Sequence, residues 1–406
     1  MTATGDSLAR RAVPLAAYWA LSMAPFGLTL PYWGLYLREN AGLTGAQIGM
    51  VFGVIPAVGM LAQPLWGAIG DRSGLRARVL VVLSLGVMLG LVALGRAQGF
   101  AQTIAATALF AAFARAMIPM LLSVSLPALE DHLHAFGWVR AFGTLGFGAA
   151  MVSFPAALAS VTVATPPPPG VSEPALGVLF PTAAVLAGLA AFAALAIPNR
   201  GAVALRASRG EWRVLLGNGP FLRVLVVCTL AFLCINGPME LFPIFVRARG
   251  GDLESVRGMW IFMLIPEVFL ALGLGALSAR FGARTLLAVG LAAGAARWIL
   301  TAAVPSLAAL QWIQSLHAVV VLGLNMGAPL YVDAIVPPQL RSTAQSLLGT
   351  VAVGIGGMGS SLLAGLLLDR GGASAPYWVG GCGALVLLLA LPRVLPHLDR
   401  GEDAAS

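Results

Sequence analysis

Residues 46–66 and 79–95 contain no formally charged side chain, yet the stretch between them, Gly67-Ala-Ile-Gly-Asp-Arg-Ser-Gly-Leu-Arg-Ala-Arg78, holds one Asp and three Arg. An uncharged run of about 20 residues is what an α-helix needs to cross the ~30 Å hydrocarbon core of a bilayer. Two such runs around a short, glycine-hinged, Arg-rich turn read as transmembrane helices joined by a tight cytoplasmic hairpin. The pattern recurs along the whole chain. Composition agrees: 59% of the 406 residues are hydrophobic and 10% charged, against roughly 25% charged in a soluble domain. In lipid only helices or closed barrels satisfy the backbone, and these runs lack the alternation a barrel requires. The fold class expected is an all-α, polytopic membrane protein.

Charge, proline and glycine punctuate the chain into about twelve runs, near 13–37, 46–69, 78–96, 100–127, 136–158, 176–197, 218–246, 256–278, 284–303, 306–332, 341–368 and 376–396. With the N-terminus inside, sixteen arginines fall on the cytoplasmic side and six on the outer side. This positive-inside bias predicts a multi-pass protein of a bacterial-type inner (plasma) membrane with both termini cytoplasmic. The first run is too long for a signal-peptide core and lacks a small-residue cleavage site, so it is read as a helix that stays. Two longer connections stand out. An outer one contains Pro166-Pro-Pro-Pro169, an extended spacer. An inner one, 198–217, carries Arg200, Arg206, Arg209 and Arg213 and reads as an amphipathic linker on the anionic leaflet.

The linker separates two halves that repeat. Gly67-x-x-x-Asp71-Arg72-x-Gly74-x-Arg76 returns 208 residues later as Gly275-x-x-x-Ala279-Arg280-x-Gly282-x-Arg284, and Arg140 has its counterpart 201 residues on in Arg341. The architecture expected is twelve transmembrane helices in two pseudo-symmetric six-helix bundles, 1–197 and 218–406, a plan that places a binding site at mid-membrane.

The net charge of +8 is spread over single loop arginines with no extended patch, which argues against a nucleic-acid partner. Cys228, Cys234 and Cys382 lie inside apolar runs without metal or redox spacing. No catalytic grouping, nucleotide loop or metal cluster is present, so neither an enzyme nor a cofactor is expected; the lipid bilayer and a small-molecule substrate are the partners, and the functional unit is a monomer.

Gly67 to Arg76 resembles the loop motif of the major facilitator superfamily, and Gly275 to Arg284 resembles its degenerate second copy. Further stretches are Gly49 with Ala62-Gln-Pro-Leu-Trp-Gly67, Arg140-x-x-Gly143, Glu267, Arg297-Trp298, and Asp333-x-x-x-Pro-x-x-x-Arg341-x-x-Ala344-Gln345. Together they resemble the proton-symporter group with lactose-, nucleoside- and phenylpropionate-permease-like proteins. The resemblance implies alternating-access transport of a small solute, often with a proton. It also implies a gating role for Gly67, Gly70, Asp71, Arg72, Gly74, Arg76, Arg140, Arg280 and Arg341, with Arg140 or the helix start near Arg341 as partner for Asp71.

An ionisable side chain at mid-bilayer costs about 2.5–3.5 kcal/mol on insertion scales and is a functional hypothesis by default. Three are deep. Arg115 lies about 13 residues, some 20 Å, from the inner end of helix four. Glu267 and Arg297 lie within a turn of one depth in helices eight and nine, so a Glu267–Arg297 pair is allowed. Glu267 is read either as the site of a transported proton or as half of a fixed ion pair. Trp260 and Met263 share its face. Arg115 has no acid in its helix and reads either as a contact for a substrate carboxylate, phosphate or hydroxyl, or as a side chain bonded to helix-end carbonyls.

Polar stripes must face protein or water. Helix one presents Tyr18, Ser22, Pro25, Thr29, Trp33 and Tyr36, read either as the wall of a cavity for a ring-bearing ligand or as a packing face. Helix seven presents Thr229, Asn236 and Glu240, the last as a coupling or outer-gate residue. Helix ten presents Gln314, His317 and Asn325, with His317 open to a proton, substrate or packing role. The sequence thus predicts a secondary transporter, a proton symporter of a small polar or aromatic organic solute with the proton as coupling ion. A proton-coupled exporter of drugs or metabolites is the alternative. A non-transporting membrane sensor is a remote one.

Overall fold

The computed structural model describes residues 3–129, 132–160, 173–198, 211–273 and 280–396. Among them every regular element is helical. The apolar runs of the first half form α1 (Ala3–Glu39), α2 (Gly45–Ser73), α3 (Arg76–Arg96), α4 (Gly99–Ala128), α5 (Leu133–Ser160) and α6 (Leu179–Leu195). The short α7 (Glu211–Leu216) follows. The second half begins with α8 (Gly219–Glu240), α9 (Phe242–Ala248), α10 (Leu253–Leu272) and α11 (Ala283–Ala303). Its tenth run divides into α12 (Leu307–Ile313), α13 (Leu316–Val320), a π-helical stretch Val321–Gly327 and α14 (Ala328–Ile335). The eleventh divides into α15 (Arg341–Leu347), a π stretch Leu348–Gly356 and α16 (Gly357–Gly371), and α17 (Ala375–Val394) closes the chain.

Eleven helices among the described residues are long and apolar enough to cross a membrane. The twenty-residue α10, with Glu254, Arg257 and Glu267, takes the remaining place in the twelvefold pattern. Local chemistry sets the boundaries. Thr44 and Gln47 exchange side-chain bonds with each other's amides at the start of α2 (3.0 and 3.2 Å), a capping box that satisfies two orphan donors. Asn218 caps α8 by accepting from the Phe221 amide at 3.0 Å. The run expected over 218–246 is interrupted at Leu241, where α8 stops and α9 begins with Pro243 in its first turn.

The chain forms two units: Met1–Leu43 with Val54–Leu205, and Thr44–Gly53 with Arg206–Ser406. The first turns of α2 belong with the second unit because Asp369 of α16 accepts the Gly45 and Ala46 amides at 2.6 and 2.7 Å. In the first unit α1 packs on α5 and α6, and α3 packs on α4 and α6. In the second, α8 packs on α16 and α17, and α11 packs on α17 and the tenth run. The same pairs of ordinal positions meet in both halves, as an internal repeat requires. Backbone geometry repeats too. Gly74 (φ +64°) and Gly282 (φ +76°), 208 residues apart, hold the left-handed conformation their turns require. So do Gly42 (φ +64°) and Gly250 (φ +82°), at the same offset.

Pro166–Pro169, Arg200, Arg206, Arg209, Gly275 and Ala279 lie outside the described residues. Of the expected linker, α7 is described, with the Arg213 guanidinium 5.2 Å from the Trp212 ring centre.

Candidate functional site

Among the described residues Arg297 is the most enclosed charged side chain of the second unit, about 1% exposed, and its surroundings are polar on one side and sulfur-lined on the other. Its Nε donates to Gln314 Oε1 at 3.0 Å, and Nη1 meets His317 Nδ1 at 2.9 Å. Its Nη2 reaches the thioether sulfurs of Met239 at 3.3 Å and Met263 at 3.5 Å. The guanidinium carbon sits 4.1 Å from the centre of the Trp298 ring, a cation–π contact that further offsets burial. Gln314 is fixed in turn, donating to Thr301 Oγ1 at 3.3 Å and the Leu310 carbonyl at 3.2 Å.

The other nitrogen of His317, Nε2, lies 3.9 Å from Glu267 Oε2. Three helices, α10, α11 and α13, and the turn before α13 therefore contribute to one polar line, Glu267–His317–Arg297–Gln314–Thr301. The pair expected between Glu267 and Arg297 is corrected in one respect: His317 stands between them, with one ring nitrogen toward each. Tyr377 supports the far side, donating to the Pro238 carbonyl at 2.9 Å and meeting Trp298 edge-on at 5.3 Å. The chemistry this line can perform is to hold a proton on a carboxylate and pass a change in charge through an imidazole to a buried cation.

Glu240 lies apart from that line. It ends α8, while the adjacent Met239 turns to Arg297. One turn earlier, Asn236 Nδ2 lies 3.1 Å from where a Cβ on Gly357 would be, so the glycine makes room for the amide. Trp260 is buried in α10, and Asn325 is exposed on the π stretch of the tenth run. Pro329 explains the change of helix type there: it has no N–H for the Asn325 carbonyl, which an α-helical bond would need.

In the first unit Arg115 is half-buried at the middle of α4. Pro119, four residues on, leaves the Arg115 carbonyl without its helical donor. Gln63 of α2 fills that place, its Nε2 donating to the carbonyl at 2.9 Å. Trp66, one turn along α2, donates to the Ala112 carbonyl at 2.8 Å. One turn before Gln63 on α2, Gly59 lies under the arginine stem, where a Cβ would come within 2.9 Å of Arg115 Cγ. Gln63 and Trp66 are part of a stretch quoted above for family likeness; its role in seating α4 was visible only as an unassigned Gln and Trp beside a proline.

The expected cavity face of α1 is corrected. Thr29 and Trp33 are each about 1% exposed. The Thr29 hydroxyl bonds back to the Pro25 carbonyl at 2.8 Å, and Trp33 packs edge-on against Phe110 and Phe180 at 5.3 and 5.6 Å. Tyr36 meets Phe180 edge-on at 4.8 Å. Tyr18 pairs with Ser84 at 2.9 Å. Tyr18, Ser22, Thr29 and Trp33 are hidden by the bundle itself and serve packing, while Tyr36 is half-buried.

The loop between α2 and α3 also differs from expectation. Asp71 Oδ1 accepts from Arg76 Nη2 at 2.6 Å, a partner inside the motif, where Arg140 is the one expected within the same unit. Gly70 lies against Met120, and Gly67 faces open space. Arg72 and Arg140 are exposed, Arg280 lies over Phe281 at 5.3 Å, and Arg341 opens α15.

Comparison with known proteins places these features. A profile described as the MFS_1 like family matches residues 13–379. The chain is 30% identical to the maltose permease of Geobacillus stearothermophilus over 399 residues, covering 95% of this chain and 96% of the permease. It is 25% identical to the uncharacterized transporter YwbF of Bacillus subtilis (strain 168), covering 92% and 90% of the two chains. In fold it is similar to a crystal structure of a mutant of the nucleoside transporter NupG, with a TM-score of 0.84 at 16% identity, covering 95% of this chain and all of that one. The chain is a multi-pass membrane transporter of the major facilitator superfamily and belongs to its MFS_1 like family.

Proposed function

We propose that this transporter is a proton symporter that carries a small, polar, sugar-sized solute into the cell. It acts as a monomer in the plasma membrane with both termini cytoplasmic and the proton as its coupling ion. The observation that carries the reading is the polar line from Glu267 through His317 to Arg297. It contains a carboxylate that can gain and lose a proton and a buried cation whose balance depends on that proton. The maltose permease likeness over nearly the full length supports the solute class.

Protonation of Glu267 removes the negative charge facing His317 Nε2, and the imidazole relays the change to Arg297 through Nδ1. Interactions that distinguish the protonated from the ionised line bias the states between which a carrier alternates, and only such differential interactions can couple ion to solute. The repeat provides the two halves within one chain.

The test is uptake of maltose by proteoliposomes under an imposed pH gradient and membrane potential. Accumulation above equilibrium with an acidic exterior, abolished by a protonophore, supports symport. Accumulation indifferent to the protonophore overturns proton coupling. Uptake driven only by an acidic lumen overturns the inward direction and identifies an exporter.

A further inference from the structure

The two deep arginines differ in what surrounds them. The fork of Arg297 is filled by Gln314, His317 and two methionine sulfurs. Arg115 has a built seat but an open head. Gly59 accommodates its stem, and Gln63 and Trp66 bind the carbonyls of Arg115 and Ala112 on either side of the same turn. Yet its Nε is buried without a hydrogen-bond partner, and no described residue pairs with the guanidinium. The described carboxylates of this unit stand away from mid-helix. Glu39 ends α1, Asp71 is bound by Arg76, and Glu173 precedes the 3₁₀ turn Pro174–Val178.

A neutral hydroxyl can accept one hydrogen bond from such a head but leaves its charge uncompensated. A carboxylate matches the planar fork with two parallel charge-assisted bonds and cancels the charge. We infer that Arg115 is an anion-recognition residue and that the transported solute is an organic acid of sugar size or smaller, bound through its carboxylate. This inference rests on the transporter reading above and specifies its substrate class.

The experiment uses the purified full-length chain in lipid nanodiscs at low salt, titrated calorimetrically with two matched pairs, maltose with maltobionate and glucose with gluconate. The carboxylate member should bind about tenfold or more tightly than its neutral partner. Arg115→Gln should raise the carboxylate's Kd about ten- to hundred-fold and move the neutral partner's by about twofold or less. Arg115→Lys, which keeps the charge without the fork, should fall between, as should Gly59→Ala, which displaces the stem without removing the cation. The two keep the test decisive if the Gln variant does not fold. Equal binding of neutral and anionic members, with Arg115→Gln affecting both alike, overturns the anion reading and leaves the transporter reading intact. Absence of binding by both acids overturns it as well, and proteoliposome uptake of maltose then shows separately whether the symport reading survives.

Discussion

Glu267→Gln bears most directly on proton coupling. An arginine has only donors, so its 2.9 Å contact makes His317 Nδ1 the acceptor and places the proton of a neutral imidazole on Nε2. That nitrogen faces Glu267 Oε2 at 3.9 Å, beyond direct bonding range, with side chains 19% and 33% exposed. A partly solvated contact of that length is worth under about 1 kcal/mol. Gln keeps an acceptor oxygen in the same place, so loss of this contact by itself should move the melting temperature by about 2 °C or less. What Gln lacks is a site for the proton. A pH gradient of about 1.7 units supplies about 2.3 kcal/mol per proton whatever the charge of the solute, enough for roughly fifty-fold accumulation. In proteoliposomes the variant should therefore exchange internal for external solute near the wild-type rate, while its accumulation ratio falls from about fifty to about one. Wild-type accumulation by the variant refutes the assignment. A large fall in melting temperature together with lost exchange would instead make Glu267 a structural partner of His317.

Arg297→Lys keeps the charge, but one ammonium cannot serve Gln314 and His317 together. The stranded buried acceptors should cost about 1–3 kcal/mol each, read as a lower melting temperature than that of Glu267→Gln. Gly323→Ala would place a Cβ 2.3 Å from Gly290 Cα and 2.6 Å from the Leu286 carbonyl, with no rotamer to relieve the overlap. It should destabilise by roughly 1–3 kcal/mol or more, whereas Gly148→Ala, with nothing within 4 Å of the new carbon, should be near neutral in the same melt. Asp252 accepts from the Ser255 hydroxyl and amide at 2.7 and 2.8 Å, which holds its carboxyl below the usual carboxylate range. Because the native value is lowered, this cap stabilises above the ordinary carboxylate range and is lost as pH falls through the native value. Asp252→Ala should therefore destabilise at neutral pH by about 0.5 kcal/mol for so exposed a cap, read as a lower melting temperature. The difference should vanish in strong acid.

The fold was legible because lipid permits few solutions: a chain of uncharged 20-residue runs has little choice but a helical bundle. The repeat was legible because Gly74 and Gly282 are needed where they stand. The site was legible only in part. Polarity in a membrane helix says that a side chain is hidden from lipid, not what hides it. Thr29 is satisfied by its own helix and Tyr18 by Ser84, so the α1 stripe has the spacing of a cavity wall and the role of a core. Arg115 and Arg297 were likewise alike in sequence, each a lone cation at mid-helix. Their difference lies in partners drawn from far along the chain: Gln314 and His317 reach Arg297 from the tenth run, whereas α2 offers Arg115 only a glycine and a bond to its backbone. Proline is the one local clue that bridges that gap. Pro119 frees a carbonyl that some donor must meet, and the donor, Gln63, sits in the turn that also supplies Trp66. In a chain so poor in polar groups, asking which side chain can reach each proline-freed carbonyl identifies inter-helix contacts that hydropathy alone does not.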